Sequence, residues 1–348
     1  MMGYLRGIHP QNLRVIALAI VLALVVLFFS SQIDNYFSPR MFNRIATSAA
    51  VILPIAIGQA LVVMTRNVDL SVGSMVGIVA YLAGDFLGTH QWLDPASTLL
   101  LALFIGAACG AINGALVAYG RVPSIIVTLG TLALYRTFLV EYSDARTITT
   151  DSLPSWVVDL PQAVLFSIGN FEVRAMVVIA LVAAVIFAIA LSWLRMARKL
   201  YAVGSNPDAA VMSGINSTRV VFTAFVLSGA LAGLSGLIFL AKFGNITVVA
   251  GLGFELKSIA AVVVGGVNIF GGSGTILGVV LGTLLVDTID NSLTRWAVVS
   301  EFWRDALLGM LIMTAVAADT FMARSFARLR RKKTLAPASA PAKAQEKA

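Results

Sequence analysis

Residues 220–241 read VVFTAFVLSGALAGLSGLIFLA, 22 consecutive positions without a charged side chain. About 20 mostly apolar residues are what one helix needs to cross a bilayer. Outward from this run the same texture recurs. Ten spans are expected, at 13–31, 44–64, 70–88, 97–119, 122–141, 175–194, 220–241, 255–269, 274–290 and 303–322. The eighth and ninth are short and glycine-rich. Of the 348 residues 59% are hydrophobic and 12% charged, where a soluble domain carries about 25% charged residues. That little polar surface cannot wet a globule. The expected fold is an all-α polytopic membrane bundle of about ten transmembrane helices.

The net charge of +8 does not mark a nucleic-acid binder, because eight of the 25 basic residues lie between Arg324 and Lys347. A basic tail beside a membrane segment suits anionic inner-leaflet lipid and the positive-inside rule. Together with Arg195, Arg198, Lys199 and Arg219, it places both termini in the cytoplasm. Residues 1–323 then form the membrane domain, and 324–348 a disordered basic tail rich in Ala, Pro and Lys. The first span runs through Ser30 and Ser31 without a small-x-small cleavage site, as an uncleaved anchor does. Cys109 is the single cysteine, and His9 and His90 are the two histidines. No disulfide and no clustered zinc ligand set is available from them.

Between spans five and six, Tyr142 to Arg174 carries Asp144, Asp151, Asp159 and Glu172 with Pro154, Trp156 and Pro161. That composition predicts a short structured cap, either a docking surface or a plain connector. The halves also echo each other. Asp69-Leu70 is followed by Gly106, Gly110 and Gly114; Glu255-Leu256 is followed by Gly274, Gly278 and Gly282. In the expected topology the two acids enter from opposite sides, a candidate inverted repeat with a transport path at its interface. Small-xxx-small ladders also simply pack helices closely, and both explanations stand.

Charges within spans cost about 2.5–3.5 kcal/mol or more unless they face protein or water. Asp69, Arg136, Glu141, Glu255, Lys257, Asp287 and Asp290 sit in or at the ends of spans. Asp69, Glu255 and Lys257 suit interfacial caps, Asp69 through the open N–H groups of span three. Arg136 is placed to snorkel. Asn113 and Thr128 lie nearer mid-span. With Asn67, Asp69, Glu255 and Asn268 they are the candidate lining of a translocation path, although helix-to-helix hydrogen bonding accounts for the mid-span pair as well. GGVNIFGGSG (265–274) lacks the Gly-Lys-Ser/Thr ending of a phosphate-binding loop, and no such ending occurs in the chain. Any ATP-driven step needs a separate polypeptide.

The segment from Arg195 to Arg219 is the most informative. Asn206, Pro207 and Asp208 read as N-cap, N1 and N2 of a helix, with Gly214 as its C′ stop. Ala209, Ala210, Val211 and Met212 give it a small apolar surface. About two turns of helix are unstable alone in water. The helix must pack on the membrane domain or enter a groove on another protein, and linking two long spans does not require it.

Four stretches carry a resemblance: TRNVDLSVGS (65–74), GAINGALVAYGRVPSIIVTLGTLALYR (110–136), YAVGSNPDAAVMSGI (201–215) and GFELKSIAAVVVGGVNIFGGSGTILG (253–278). In this order they resemble the permease subunits of bacterial ATP-binding-cassette sugar importers, in the ribose, xylose, rhamnose and autoinducer-2 branch. The resemblance runs from about residue 13 to 322. It implies an inner-membrane protein acting with a second permease subunit, identical or homologous, two ATPase subunits that hold ATP and Mg, and a periplasmic solute-binding protein. No cofactor is implied on this chain itself. Asn206, Pro207, Asp208, Ala209, Ala210, Met212 and Gly214 would be the helix that couples to the ATPase. Many relatives carry Ala-Ala-Arg where this chain has Ala209-Ala210-Val211, so a basic contact to the ATPase is either missing or supplied elsewhere. Many also carry glycine in place of Thr137. The TRNVD and GGSG stretches and the region of Trp303 look closest to rhamnose-type and autoinducer-2-type permeases. Both solutes are small, polyhydroxylated and uncharged. The rival classes are an ion-coupled secondary transporter using Asp69 or Glu255, and an intramembrane enzyme, for which the two histidines supply no catalytic constellation.

Overall fold

The computed structural model describes residues 10–169 and 171–296, with single helical positions between 303 and 317. In chain order these form α1 (Pro10–Gln32), α2 (Pro39–Met64), α3 (Val72–Thr89), α4 (Pro95–Ala118), α5 (Ser124–Ser143), α6 (Ser155–Asp159), β1 (Val164–Ile168), β2 (Phe171–Arg174), α7 (Ala175–Trp193), α8 (Arg195–Ser205), α9 (Pro207–Met212), α10 (Ser217–Phe243), α11 (Phe254–Val264) and α12 (Ile276–Arg295). Eight of them, α1 to α5, α7, α10 and α12, are long and apolar enough to cross a membrane. The chain is a multi-pass, all-α membrane protein. Among the described residues the one sheet is the antiparallel β1–β2 hairpin.

The helices start where the sequence offers an oxygen to the orphan N–H groups of the first turn. Ser38 accepts from Met41 N, Asp94 from Ser97 N, Asn216 from Arg219 N and Thr275 from Gly278 N. Pro39 and Pro95 follow two of these caps at N1, where a missing N–H costs nothing. α2 is the axis of the bundle: every residue from Ala49 to Met64 is buried, and α7, α10, α11 and α12 pack around it. Other faces stay apolar and exposed, as with Leu100, Phe104 and Leu134, which suits contact with lipid tails.

α4 and α10 form the most extensive helix pair, and their glycines explain how. A Cβ on Gly106 would stand 2.2 Å from Gly229 O, and one on Gly233 2.1 Å from Ala102 O. Backbone lies directly on backbone here. The two sequence ladders turn out to pack different pairs. Gly106, Gly110 and Gly114 lie against α10, while Gly278 and Gly282 lie against Gly265 and Ala261 at the end of α11. Close helix packing accounts for Gly106, Gly110, Gly114, Gly278 and Gly282, whereas Gly274 precedes α12 and lies against Met64 and Val267.

One predicted span takes a different form. Residues 255–269 give α11, only 11 residues long, or about 16 Å at 1.5 Å per residue. The helix stops at Gly265, jammed against Gly278, and Gly266 turns the chain with φ +81°. The rest of this crossing is the non-helical stretch 244–253. It leaves α10 beside Thr150 (Gly244), pairs Ile246 with Ile148, and reaches Gly73 on α3 through Gly251. From Gly73 to Gly84, which also touches Ile148, α3 rises about 16 Å. The segment therefore descends deep into the bundle without being a helix. Such backbone is tolerated at membrane depth where protein covers it or where it lines a water-filled cavity; here Ile246 and Ala250 are buried while Val249 and Leu252 are exposed. The first half contains a counterpart. After Met64 the chain doubles back along α2, and the Gln59 amide, turned to the one orientation that satisfies both its atoms, donates to Asp69 O at 3.1 Å and accepts from Asp69 N at 3.2 Å. Gln59 is about 7.5 Å, five helical residues, inside the Met64 end, so α3 also begins within the bundle.

The expected cap between spans five and six is present. It comprises a short 3₁₀ turn at Thr150–Ser152, α6 and the hairpin, anchored by fully buried Val157 and by Trp156 Nε1 donating to Leu93 O at 3.2 Å. The tenth expected span, apart from its isolated helical positions, and the tail 324–348 lie outside the described residues.

Candidate coupling helix and polar interior

α9 carries the caps expected of it. Asn206 Oδ1 accepts from Ala209 N at 3.1 Å, and Pro207 occupies N1. At the other end Gly214 has φ +76°. Gly214 N donates to Val211 O at 2.9 Å and Ile215 N to Ala210 O at 3.0 Å, the doubled closure of a Schellman motif. Ala210 faces the bundle and is buried, whereas Met212 is 91% exposed and Val211 59%. Asp208 and Ala209 are exposed as well. A fully capped six-residue helix thus presents a flexible apolar side chain to the outside, and methionine adapts readily to a partner groove.

The preceding helix α8 was not expected from the sequence. It is amphipathic and buries Ala197, Leu200 and Val203. Burial pushes the Tyr201 phenol above its usual pKa, and its hydroxyl donates to Gly274 O at 2.9 Å. α8 ends in a tight junction of three segments. A Cβ on Gly204 would lie 1.7 Å from Met64 O, and Gly272 N donates to Met64 O at 3.0 Å. Arg66 closes the junction, with Nε donating to Gly204 O and Nη2 to Ser205 O, each at 2.6 Å.

Of the six candidate path residues, Asp69, Asn113 and Thr128 converge. Asp69 Oδ1 accepts from Ser71 N at 2.9 Å and from Ser71 Oγ at 2.7 Å. Asn113 Nδ2 donates to the same Ser71 hydroxyl at 2.8 Å. Thr128 Oγ1 donates to Ser124 O at 2.8 Å and faces Val68 O at 3.4 Å. Tyr135 extends the group by donating to Cys109 O at 2.9 Å. Asp69, Ser71, Asn113 and Thr128 are all fully buried. The expectation of an interfacial cap at Asp69 is corrected on two counts. Asp69 lies inside the bundle, and it closes an Asx-type turn ahead of α3 instead of capping its second or third N–H.

Glu255 approaches this group from the other broken crossing. Its Oε1 accepts from Gly253 N at 3.2 Å, and its Oε2 lies where a Cβ on Gly73 would fall. Asn67 and Asn268 stay apart in local turns. Asn67 Nδ2 donates to Thr65 O at 3.0 Å, and Asn268 Oδ1 accepts from Phe270 N at 2.9 Å. Lys257 is not an interfacial cap either, since it pairs with Asp290 of α12. Arg136 does not snorkel. Its Nη1 donates to Val248 O at 2.6 Å and Ala250 O at 2.8 Å, holding the non-helical segment against α5. Among the described residues no cluster of three His, Cys, Asp or Glu suits a metal ion. Sequence reasoning missed Gln59, Arg66, Ser71, Ser124 and Tyr135. Gln59 had a usable signal, as a lone amide deep in the apolar run 49–64.

Residues 41–316 match the family described as branched-chain amino acid transport system, permease component. The chain is 36% identical over 305 residues to the autoinducer 2 import system permease protein LsrC of Yersinia pseudotuberculosis, covering 86% of this chain and 83% of that protein. The protein of the same name from Yersinia enterocolitica is 36% identical over 304 residues, covering 87% and 81%. That from Yersinia pestis is 35% identical over 305 residues, covering 86% and 83%. No solved structure matches the chain.

Proposed function

We propose that this chain, which belongs to the family of branched-chain amino acid transport system permease components, is the membrane-spanning subunit of an ATP-binding-cassette importer for a small carbohydrate-like solute. Autoinducer 2, which the relatives' names specify, or a rhamnose-type sugar is the preferred solute, ahead of ribose or xylose. Both preferred solutes are uncharged and rich in hydroxyls. The machine lies in the bacterial inner membrane with both termini cytoplasmic. It pairs this permease with a second copy or a homologue, and a periplasmic binding protein docks on the cap at 142–174. ATP and Mg are bound by separate ATPase subunits, and this chain is not an enzyme. Residues 1–323 form the membrane domain and 324–348 the tail.

The observation that carries this proposal is α9. Six helical residues contribute little stability by themselves, yet both ends are closed by dedicated caps while Met212 is 91% exposed. A rigid apolar tip of that kind suits a cleft on a moving partner, and Asn206, Pro207, Asp208, Ala209, Ala210 and Gly214 supply its scaffold. Alternating access then needs partners with different affinities for the two states, roles for ATP and for the loaded binding protein. Met212→Glu places a charge where the partner cleft must be dry. ATPase retention on the purified permease should drop by about tenfold, the equivalent of about 1.4 kcal/mol. Unchanged retention would contradict α9 as the docking element.

A further inference from the structure

Between α9 and the polar interior the structure offers a short physical route, and it passes through one side chain. Ser205 immediately precedes the α9 cap, Asn206. The carbonyls of Gly204 and Ser205 are both held by the Arg66 guanidinium. Charge-assisted bonds of this kind are about twice as strong as neutral ones. Arg66 also sits in the left-handed region, φ +66°, as the C′ residue that closes α2, with Arg66 N donating to Val63 O at 2.9 Å and Asn67 N to Val62 O at 3.3 Å. Gly271 packs on its Cγ from the loop that follows α11.

Beyond Arg66 the backbone from Asn67 to Ser71 has no helix of its own. It is held by Ser124 Oγ at Val68 N and by Gln59 at Asp69, and it ends at α3, where Gly73 meets Gly251 and Glu255. Both broken crossings therefore connect to the α8–α9 junction, one through Arg66 and one through Gly271 and Gly272. By contrast α10, the covalent continuation of α9, is set backbone to backbone against α4 and yields little.

We propose that Arg66 is a positioning residue that transmits displacement of α9 to the non-helical segment 67–71 and thence to the meeting point of α3 and α11. This rests on α9 being the ATPase-docking helix. Arg66 acts through the carbonyls of Gly204 and Ser205; it links two segments that must move together.

The test is hydrogen–deuterium exchange on the full permease–ATPase complex, with and without ATP, Mg and vanadate. In the wild-type chain, ATP should change exchange both in α9 and at residues 66–75. In Arg66→Gln the α9 response should persist while the response at 66–75 shrinks by at least about fivefold, the lower end of usual site-to-site coupling. Arg66→Lys, which keeps a charged donor for one carbonyl, should restore part of it. A merely structural role predicts raised exchange in the nucleotide-free state and a parallel loss at both sites. That outcome would overturn the proposal, as would an undiminished response at 66–75 in Arg66→Gln or none in the wild type. Met212→Glu separates the two levels. If it leaves ATPase retention unchanged, the docking role of α9 fails and this proposal with it. If it reduces retention while Arg66→Gln behaves as wild type, the transmission role alone fails.

Discussion

Gly106→Ala adds one methyl group to α4. Its Cβ would stand 2.2 Å from Gly229 O, 2.7 Å from Gly233 N and 2.8 Å from Gly233 Cα. All three are backbone atoms of α10, so no side chain can rotate away. An ordinary carbon–oxygen approach is about 3.3 Å or more, and the helices must part by roughly 1 Å at this point. A gap of 0.5–1 Å forfeits about a quarter to a half of each dispersion contact along the seam. Small-to-large changes in packed interiors typically cost about 1–3 kcal/mol. Replacing a helical glycine by alanine returns about 1 kcal/mol of helix propensity. The net expectation is a loss of up to about 2 kcal/mol, measured by unfolding the purified protein with sodium dodecyl sulfate in mixed micelles. Gly130→Ala is the control, because nothing lies within 4 Å of a Cβ there; it should be neutral or slightly stabilising. A Gly106→Ala protein as stable as Gly130→Ala would refute the close α4–α10 seam.

Arg136→Gln removes the charged donor from Val248 O and Ala250 O. It should cost about 2 kcal/mol and make residues 244–253 more sensitive to added protease, with the termini of α4 and α10 unaffected. Asp69→Asn keeps an oxygen for the Ser71 N–H and hydroxyl, so stability should stay within about 1 kcal/mol of wild type, whereas Asp69→Ala orphans buried donors and should lose about 2 kcal/mol or more. ATP-driven uptake that survives Asp69→Asn would fit a structural turn, and its abolition would favour a charge requirement such as ion coupling. Asn206→Ala removes the α9 cap bond to Ala209 N at a cost of about 1 kcal/mol. A titration of ATPase against the purified permease should show about fivefold weaker association.

The sequence announced its solvent clearly and its backbone only partly. Long helices such as α2 and α10 were legible because an apolar run of more than 20 residues has one economical conformation in lipid. Hydropathy reports surroundings and not dihedral angles, however, so TVVAGLGFELK, a run of turns from Val248 to Gly253 and helical from Phe254, looked like the approach to a helical span. Its break depends on Gly265 meeting Gly278 and on Arg136 holding two carbonyls, contacts between residues far apart in sequence. The α9 boundaries were legible because caps are local: Asn206 acts on Ala209 three residues on, and Gly214 closes its own turn. Asp69 announced a helix cap, whereas its Asx-type turn and its depth depend on Ser71 and on Gln59 from α2. Arg66 announced only a basic residue near a span end. The hairpin at 164–174, with its exposed Leu165 and Phe166, left no alternation by which to find it.

The most direct measurement is solute uptake by proteoliposomes containing the permease with and without its ATPase subunits, loaded with autoinducer 2-charged or rhamnose-charged binding protein outside and ATP inside. Uptake should appear only when ATPase and ATP are both present, and Met212→Glu should suppress it. Uptake by the permease alone under a sodium or proton gradient, insensitive to ATP, would contradict the claim that this bundle is driven from outside itself through α9.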